Sequence, residues 1–234
     1  MSFGKCSICN SAILYKEDYF EAKCEFCGKK EETYIICSNN HYLCIVCAAK
    51  EVMDKLYELL PDIDLKNPLD IAERLISKCG ISGHTPHPIT AAAFLTAVKN
   101  VTGYITDEDV MEGVSRAYEI PGGWCGYYGA CGAAVALGTS FSVLLNATPS
   151  SDKERSIANR VTSACLVEVA ALGGPYCCVA SIRAVLEKGI ELSELHLGIK
   201  FPERKTSYKK CWTATFQQNC KTEKCRFYNM DVQE

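Results

Sequence analysis

Cysteine pairs at metal-ligand spacing open the chain: Cys6-x2-Cys9, Cys24-x2-Cys27, Cys37-x3-His41 and Cys44-x2-Cys47. Two-residue spacing lets both thiolates of a turn face one metal. Eight soft or borderline donors are what two tetrahedral zinc ions need. Residues 1–49 also have few large apolar residues in register. Metal ligation is therefore expected to stand in for a core there. The spacing leaves open which pairs share an ion, and sequential pairing would make two ribbons. A rigid docking head with no chemistry of its own, bound to a protein partner, is the reading this segment favours.

A second kind of chemistry sits in Gly122-Gly123-Trp124-Cys125-Gly126-Tyr127-Tyr128-Gly129-Ala130-Cys131-Gly132. Glycines at this density permit tight turns and close approach to a ligand. An apolar run from Ala130 to Leu145 follows, so Cys131 is expected at a helix N-terminus, where free N–H groups favour a thiolate. Gly173-Gly174-Pro175-Tyr176-Cys177-Cys178 repeats the design, with proline at the expected first helical position. Both cysteines then fall in the first turn, about 100° apart. Cys178 shares a stripe with Ile182, Val185 and Leu186, which nominates Cys177 as the thiol facing the site. His84 and His87 crowd into a proline-stiffened turn and are candidates for ligation or proton transfer. The tail carries Cys211-x8-Cys220-x4-Cys225 with no helical stripe, which points to metal or cluster ligation.

Three functions fit these thiols. In the first, Cys125, Cys131 and Cys177 converge on one pocket shielded by Trp124, with His84 or His87 at its rim, and hold an iron–sulfur cluster for redox or sulfur transfer. Cys178, Cys211, Cys220 and Cys225 are the further candidate cluster ligands. In the second, Cys125 and Cys131 are attacking and resolving thiols of a metal-free thiol–disulfide or sulfur-carrying enzyme. In the third, the chain is a non-catalytic zinc-containing assembly factor.

The elements that must position these groups are helical. Val52, Leu56, Leu59 and Leu60 run at helical spacing up to Pro61. Asn67-Pro68 and Gly80 bracket a helix carrying Ala72, Leu75, Ile76 and Cys79 on one stripe. A third helix spans Ile89 to Val101, and Thr106-Asp107-Glu108-Asp109 caps a fourth, to about Tyr118. Ser151-x-x-Glu154 reads as a capping box for a helix with Ile157, Val161, Cys165, Val169 and Leu172 on one face. Cys79 and Cys165 are therefore expected to be packing residues. The last helix is expected to end at Lys188-Gly189. The resulting fold is mainly α: a helical-bundle body over 50–200, a small zinc-built head over 1–49 and an irregular cysteine-containing tail over 201–234.

A net charge of −3 gives no basic excess, so nucleic acid is not the expected partner. The longest apolar run is too short and interrupted to span a membrane. Met1 to Cys9 has no apolar core and is no signal peptide. Thiols in such number without an export signal point to a reducing cytoplasm. Nine cysteines beyond the seven of the head point further, to an anaerobe.

Two resemblances add to this. Cys37-x3-His41-x2-Cys44-x2-Cys47 resembles the middle of a RING-type cross-brace, without the pairs that complete a RING after Cys47. That resemblance implies one ion on Cys6, Cys9, Cys37 and His41 and another on Cys24, Cys27, Cys44 and Cys47, in a treble-clef or cross-brace arrangement. The head pairs with Asn40-His41-Tyr42-x-Cys44, the His84-Thr85-Pro86-His87 turn and the two glycine–cysteine blocks are similar to an uncharacterised cysteine-rich family of methanogens and other anaerobes, sometimes fused to S-adenosylmethionine-dependent enzymes. Members of that family often carry Glu-His-His where this chain has Thr85-Pro86-His87. Cys131-Gly132-Ala133-Ala134 resembles, more weakly, helical proteins with redox-active Cys-Gly-Ala motifs.

Overall fold

The computed structural model describes residues 5–205, 210–217 and 219–229. The first four residues of the expected head and the last five of the expected tail lie outside the described residues. The protein is mainly helical, with a small two-stranded antiparallel sheet near its N-terminus.

The sheet is a hairpin of β1 (Ile13–Lys23) and β2 (Lys30–Cys37), whose pairing slips between Tyr15 and Phe20. Its turn carries Cys24 and Cys27, and β2 ends on Cys37. The head has a small apolar cluster of Ala22, Cys24, Tyr42 and Cys44, so its metal-ligand candidates are also its core. Helix α1 (Ile45–Leu59) starts inside the expected head and carries Cys47 in its first turn. Its buried face of Ala49, Val52, Met53 and Leu56 leads directly into the body.

The body follows the start and stop signals closely. Helix α2 (Pro68–Cys79) is capped by Asn67, whose side chain accepts from the Leu69 N–H, and it stops at Gly80. Helix α3 (Pro86–Thr102) begins earlier than its apolar pattern indicates, because Pro86 and Pro88 fit the first helical turn, whose N–H groups have no helical partner. Helix α4 (Asp107–Tyr118) carries a complete capping box between Thr106 and Asp109. After a single turn, α5 (Trp124–Tyr127), come α6 (Gly132–Leu144), α7 (Lys153–Leu172) and α8 (Cys178–Leu197). Helix α3 is apolar nearly all round and lies in the middle, packed by α2, α4, α6 and α8.

Three local expectations are corrected. The Ser151 hydroxyl does not cap α7; it accepts from the Thr148 N–H at 3.0 Å and closes the preceding turn. Pro175 and Cys177 precede α8 rather than opening it, and Cys177 is its N-cap. That helix also passes through Gly189 and ends at Gly198. A Cβ on Gly189 would stand 2.9 Å from Leu137 Cδ2 and 3.3 Å from Phe94, so this glycine serves close helix packing, not a stop.

Cys79 and Cys165 are buried in the main core, as their stripes predict. Burial pushes their thiols up, to about 11 and about 12, so both are protonated packing groups at neutral pH. Strand-type pairing outside the head is confined, among the described residues, to an isolated bridge between Lys210 and Asn229 in the tail. No helix is long and apolar enough to cross a membrane among the described residues.

Candidate metal centres and thiol sites

The head gathers its eight donors into two sets. Cys6, Cys9, Cys37 and His41 form one, and Cys24, Cys27, Cys44 and Cys47 the other; within each, the donor atoms lie within 4.8 Å of one another. The grouping interleaves along the chain, so the sequential ribbons do not form. Four sulfurs each about 2.3 Å from one ion must stand about 3.8 Å apart. The Cys9–Cys37 and Cys27–Cys44 sulfurs are each 3.7 Å apart, and His41 Nδ1 lies 3.6 Å from Cys37 Sγ and 3.9 Å from Cys6 Sγ. Either set could hold a metal ion.

The backbone prepares these sulfurs for negative charge. The N–H groups of Asn39 and His41 each donate to Cys37 Sγ at 3.3 Å. Burial raises the Cys24 thiol, but the N–H groups of Cys27, Cys44 and Phe26 outweigh it and bring it down to about 6. Ser11 brings Cys9 down to about 6 through its side chain and backbone. Crowded thiols cannot all be lowered together. Cys47 is accordingly pushed up to about 12, first by its hydrogen bond to Cys44.

The glycine-rich segment is built differently. Cys125 is exposed on α5, whereas Cys131 is the N-cap of α6 and buried. Trp124 and Tyr128 face one another with ring centroids 5.6 Å apart. His87 is buried beneath this segment, and its Nδ1 lies 3.0 Å from the Ile120 carbonyl, which fixes Nδ1 as the donor. A Cβ on Gly132 would fall 2.2 Å from His87 Nε2, so only glycine lets α6 start against this ring. His84 packs on Tyr118 at 4.5 Å between centroids. Burial holds both histidines below the usual imidazole range, which keeps them neutral.

The adjacent cysteines Cys177 and Cys178 meet different surroundings. Cys178 lies within electrostatic reach of Cys131, Cys177 and Cys125. Burial pushes Cys178 up to about 12. Cys125, Cys131 and Cys177 are not gathered into a common donor group within 4.8 Å. Cys177 instead lines a cavity shared with Cys211, Cys220 and Cys225 of the tail, together with Arg183 and Thr213.

Sequence reasoning missed the groups that organise this cavity. Arg183 on α8 is only 1% exposed and forms a two-point ion pair with Glu73 of α2, itself 2% exposed: Nε to Oε1 at 2.7 Å and Nη2 to Oε2 at 3.1 Å. Its remaining arm donates to Cys211 Sγ at 3.0 Å. Burial would raise Cys211, but Thr213 and Arg183 overcome it and hold the thiol below its ordinary value. Trp212 Nε1 and Arg204 Nη2 also donate to Glu73, at 2.8 and 3.1 Å. The available signal was a charged residue inside an apolar stripe: Arg183 follows Ile182 and precedes Val185 and Leu186, and Glu73 lies between Ala72 and Leu75.

The chain belongs to a family of unknown function, DUF5714, whose family model matches residues 56–228. That span takes in Cys177, Cys211, Cys220 and Cys225, the glycine-rich segment and His84 and His87. The eight donors of the head precede it. No curated protein and no solved structure matches the chain.

Proposed function

We propose that this protein is a metalloprotein whose head holds two zinc ions and docks a protein partner onto a thiol-bearing helical body. One observation carries the reading: two separate sets of four donors already stand at the spacing a single tetrahedral ion requires. Six of the eight belong to two-residue cysteine pairs, a donor set that suits zinc in a closed structural site. All four positions of each set are protein donors, so each ion is structural rather than catalytic. Exposed Leu14, Tyr15, Tyr19 and Phe26 on this small head support docking, since large apolar side chains left in water favour a partner. The body's chemistry is of the redox or sulfur-handling class, supported by the thiols of Cys125, Cys131 and Cys178 around one glycine-rich segment.

The test is metal content with paired variants. Protein purified without oxygen and with zinc supplied should hold about two zinc ions in the head. Cys24→Ser with Cys44→Ser should remove one of them and leave the other on Cys6, Cys9, Cys37 and His41. A head that keeps its hairpin with neither ion bound would overturn the proposal.

A further inference from the structure

Four cysteines surround one cavity between α8 and the tail, at positions far apart in the chain. Cys177 comes from the N-cap of α8, Cys211 from just after the Lys210–Asn229 bridge, and Cys220 and Cys225 from the irregular segment that follows. Their spacing differs from that of the head. No three of them have sulfurs within 4.8 Å of one another, whereas all four donors of each head set do. One tetrahedral ion needs its four sulfurs about 3.8 Å apart, because each bond is only about 2.3 Å long, and this wider set does not meet that spacing. A cluster can bond such a set, since each thiolate bonds a different iron and the inorganic core separates them.

The cavity limits what could fill it. Its inner volume is about 20 Å³, on a scale where one ordered water takes roughly 10–15 Å³. That is little room for an organic cofactor. A bonded inorganic core needs less free space than a ligand held by van der Waals contact, because metal–sulfur bonds are shorter than contact distances.

The walls also suit a polynuclear anion. Arg183, locked by Glu73, presents a buried N–H to Cys211 Sγ. Thr213 Oγ1 lies 3.2 Å from the same sulfur. The backbone N–H groups of Val179 and Ala180, at the start of α8, point toward Cys177. Hydrogen bonds to cluster thiolates are what a protein uses to hold and tune them.

The tail gives an independent reason. Residues 210–229 make two short 3₁₀ turns, Ala214–Phe216 and Thr222–Lys224, and only Thr213 and Phe227 among those described are buried. Sharp turns with so little apolar core need another source of stability. The tail meets the body through Trp212 on Glu73, Lys221 on the Leu172 and Gly173 carbonyls, Arg226 on Glu168 and Glu187 and Phe227 among Ala180 and Ala184, and its three thiols line the cavity between these contacts.

We propose that Cys177, Cys211, Cys220 and Cys225 ligate a [4Fe–4S] cluster, with Arg183 as a positioning residue. This site is separate from the two ions of the head and does not depend on them. Cys125 and Cys131 take no part in this cluster.

The experiment is reconstitution of the full chain with ferrous iron and sulfide under nitrogen, followed by desalting. The wild type should turn brown and retain about four irons and four sulfides per chain. Cys220→Ser and Cys225→Ser, each in a surface turn, should lower retained iron by roughly tenfold or more. Head zinc and far-ultraviolet circular dichroism should stay at wild-type levels in both. Arg183→Lys should keep iron but shift the cluster's reduction potential. Colourless wild-type protein, or a third zinc bound without sulfide, would overturn the assignment. So would a cluster that survives Cys220→Ser with Cys225→Ser and is lost in Cys125→Ser or Cys131→Ser. Wild-type protein that holds the cluster but binds no zinc in a folded head would overturn the zinc-head reading alone.

Discussion

His87 shows how one buried side chain ties the glycine-rich segment to solution conditions. Its Nδ1 donates to the Ile120 carbonyl, and its Nε2 abuts Gly132 at the start of α6. Burial holds its folded pKa below the unfolded value of about 6.5. Between those two values the unfolded chain carries more protons than the folded one. The stability His87 contributes is therefore complete above about pH 6.5 and is lost as pH falls toward the folded pKa. Urea unfolding at about pH 7.5 and about pH 5.5 should show a larger loss on acidification for wild type than for His87→Gln. Protonation of the head's thiols and His41 acts on both proteins alike, so the difference isolates His87. Equal losses would show that His87 is not held neutral by the fold.

At the scale of elements, the joint between α2, α8 and the tail rests on buried charge. Glu73 accepts from Arg183, Arg204 and Trp212, and Asp70, one turn earlier, accepts from the Lys205 N–H at 2.8 Å. Asn67 caps α2 and also donates from Nδ2 to the Pro202 carbonyl at 2.8 Å. Helix α2 thus binds its own N-terminus and the incoming tail with the same face. Glu73→Ala would strand Arg183 without its partner, at a cost of about 3–5 kcal/mol. The expected result is a lower denaturation midpoint together with faster proteolytic cleavage after Ile199. A fall in the midpoint with an unchanged cleavage rate would show that the ion pair supports α2 and α8 but does not fasten the tail.

Across the whole molecule, two kinds of stability are joined by α1. The body has a continuous apolar core that reaches from Val52 to Ile199. The head has a cluster in which two of the four buried members, Cys24 and Cys44, are themselves metal-ligand candidates. Removing metal should therefore unfold the head and spare the body. With a strong chelator, amide exchange should rise over 13–37 while α3 and α6 stay protected and helical content hardly changes. Cooperative loss of α3 protection at the same chelator concentration would mean that head and body fold as one unit.

Much of this was legible because it is local. Donor type and two-residue spacing picked out the head residues that the fold gathers into two donor sets, since a turn brings neighbouring thiols together whatever surrounds it. Asn67, Thr106 and Gly80 marked helix ends because caps act within one turn. Stripes placed Cys79 and Cys165 in the core for the same reason. Gly189 was misread because a glycine that stops a helix and one that admits Leu137 look alike until the neighbouring helix is present. Spacing alone left the grouping of the donors open, because the hairpin must first bring Cys9 to Cys37 across 28 residues; the resemblance to a RING-type cross-brace implied the interleaved sets that the structure gathers. The roles of Cys177 and Cys178 were decided later still. The two residues occupy the N-cap and first position of α8, so they point different ways. Only packing against the tail on one side and the glycine-rich segment on the other determined which thiol meets which partners.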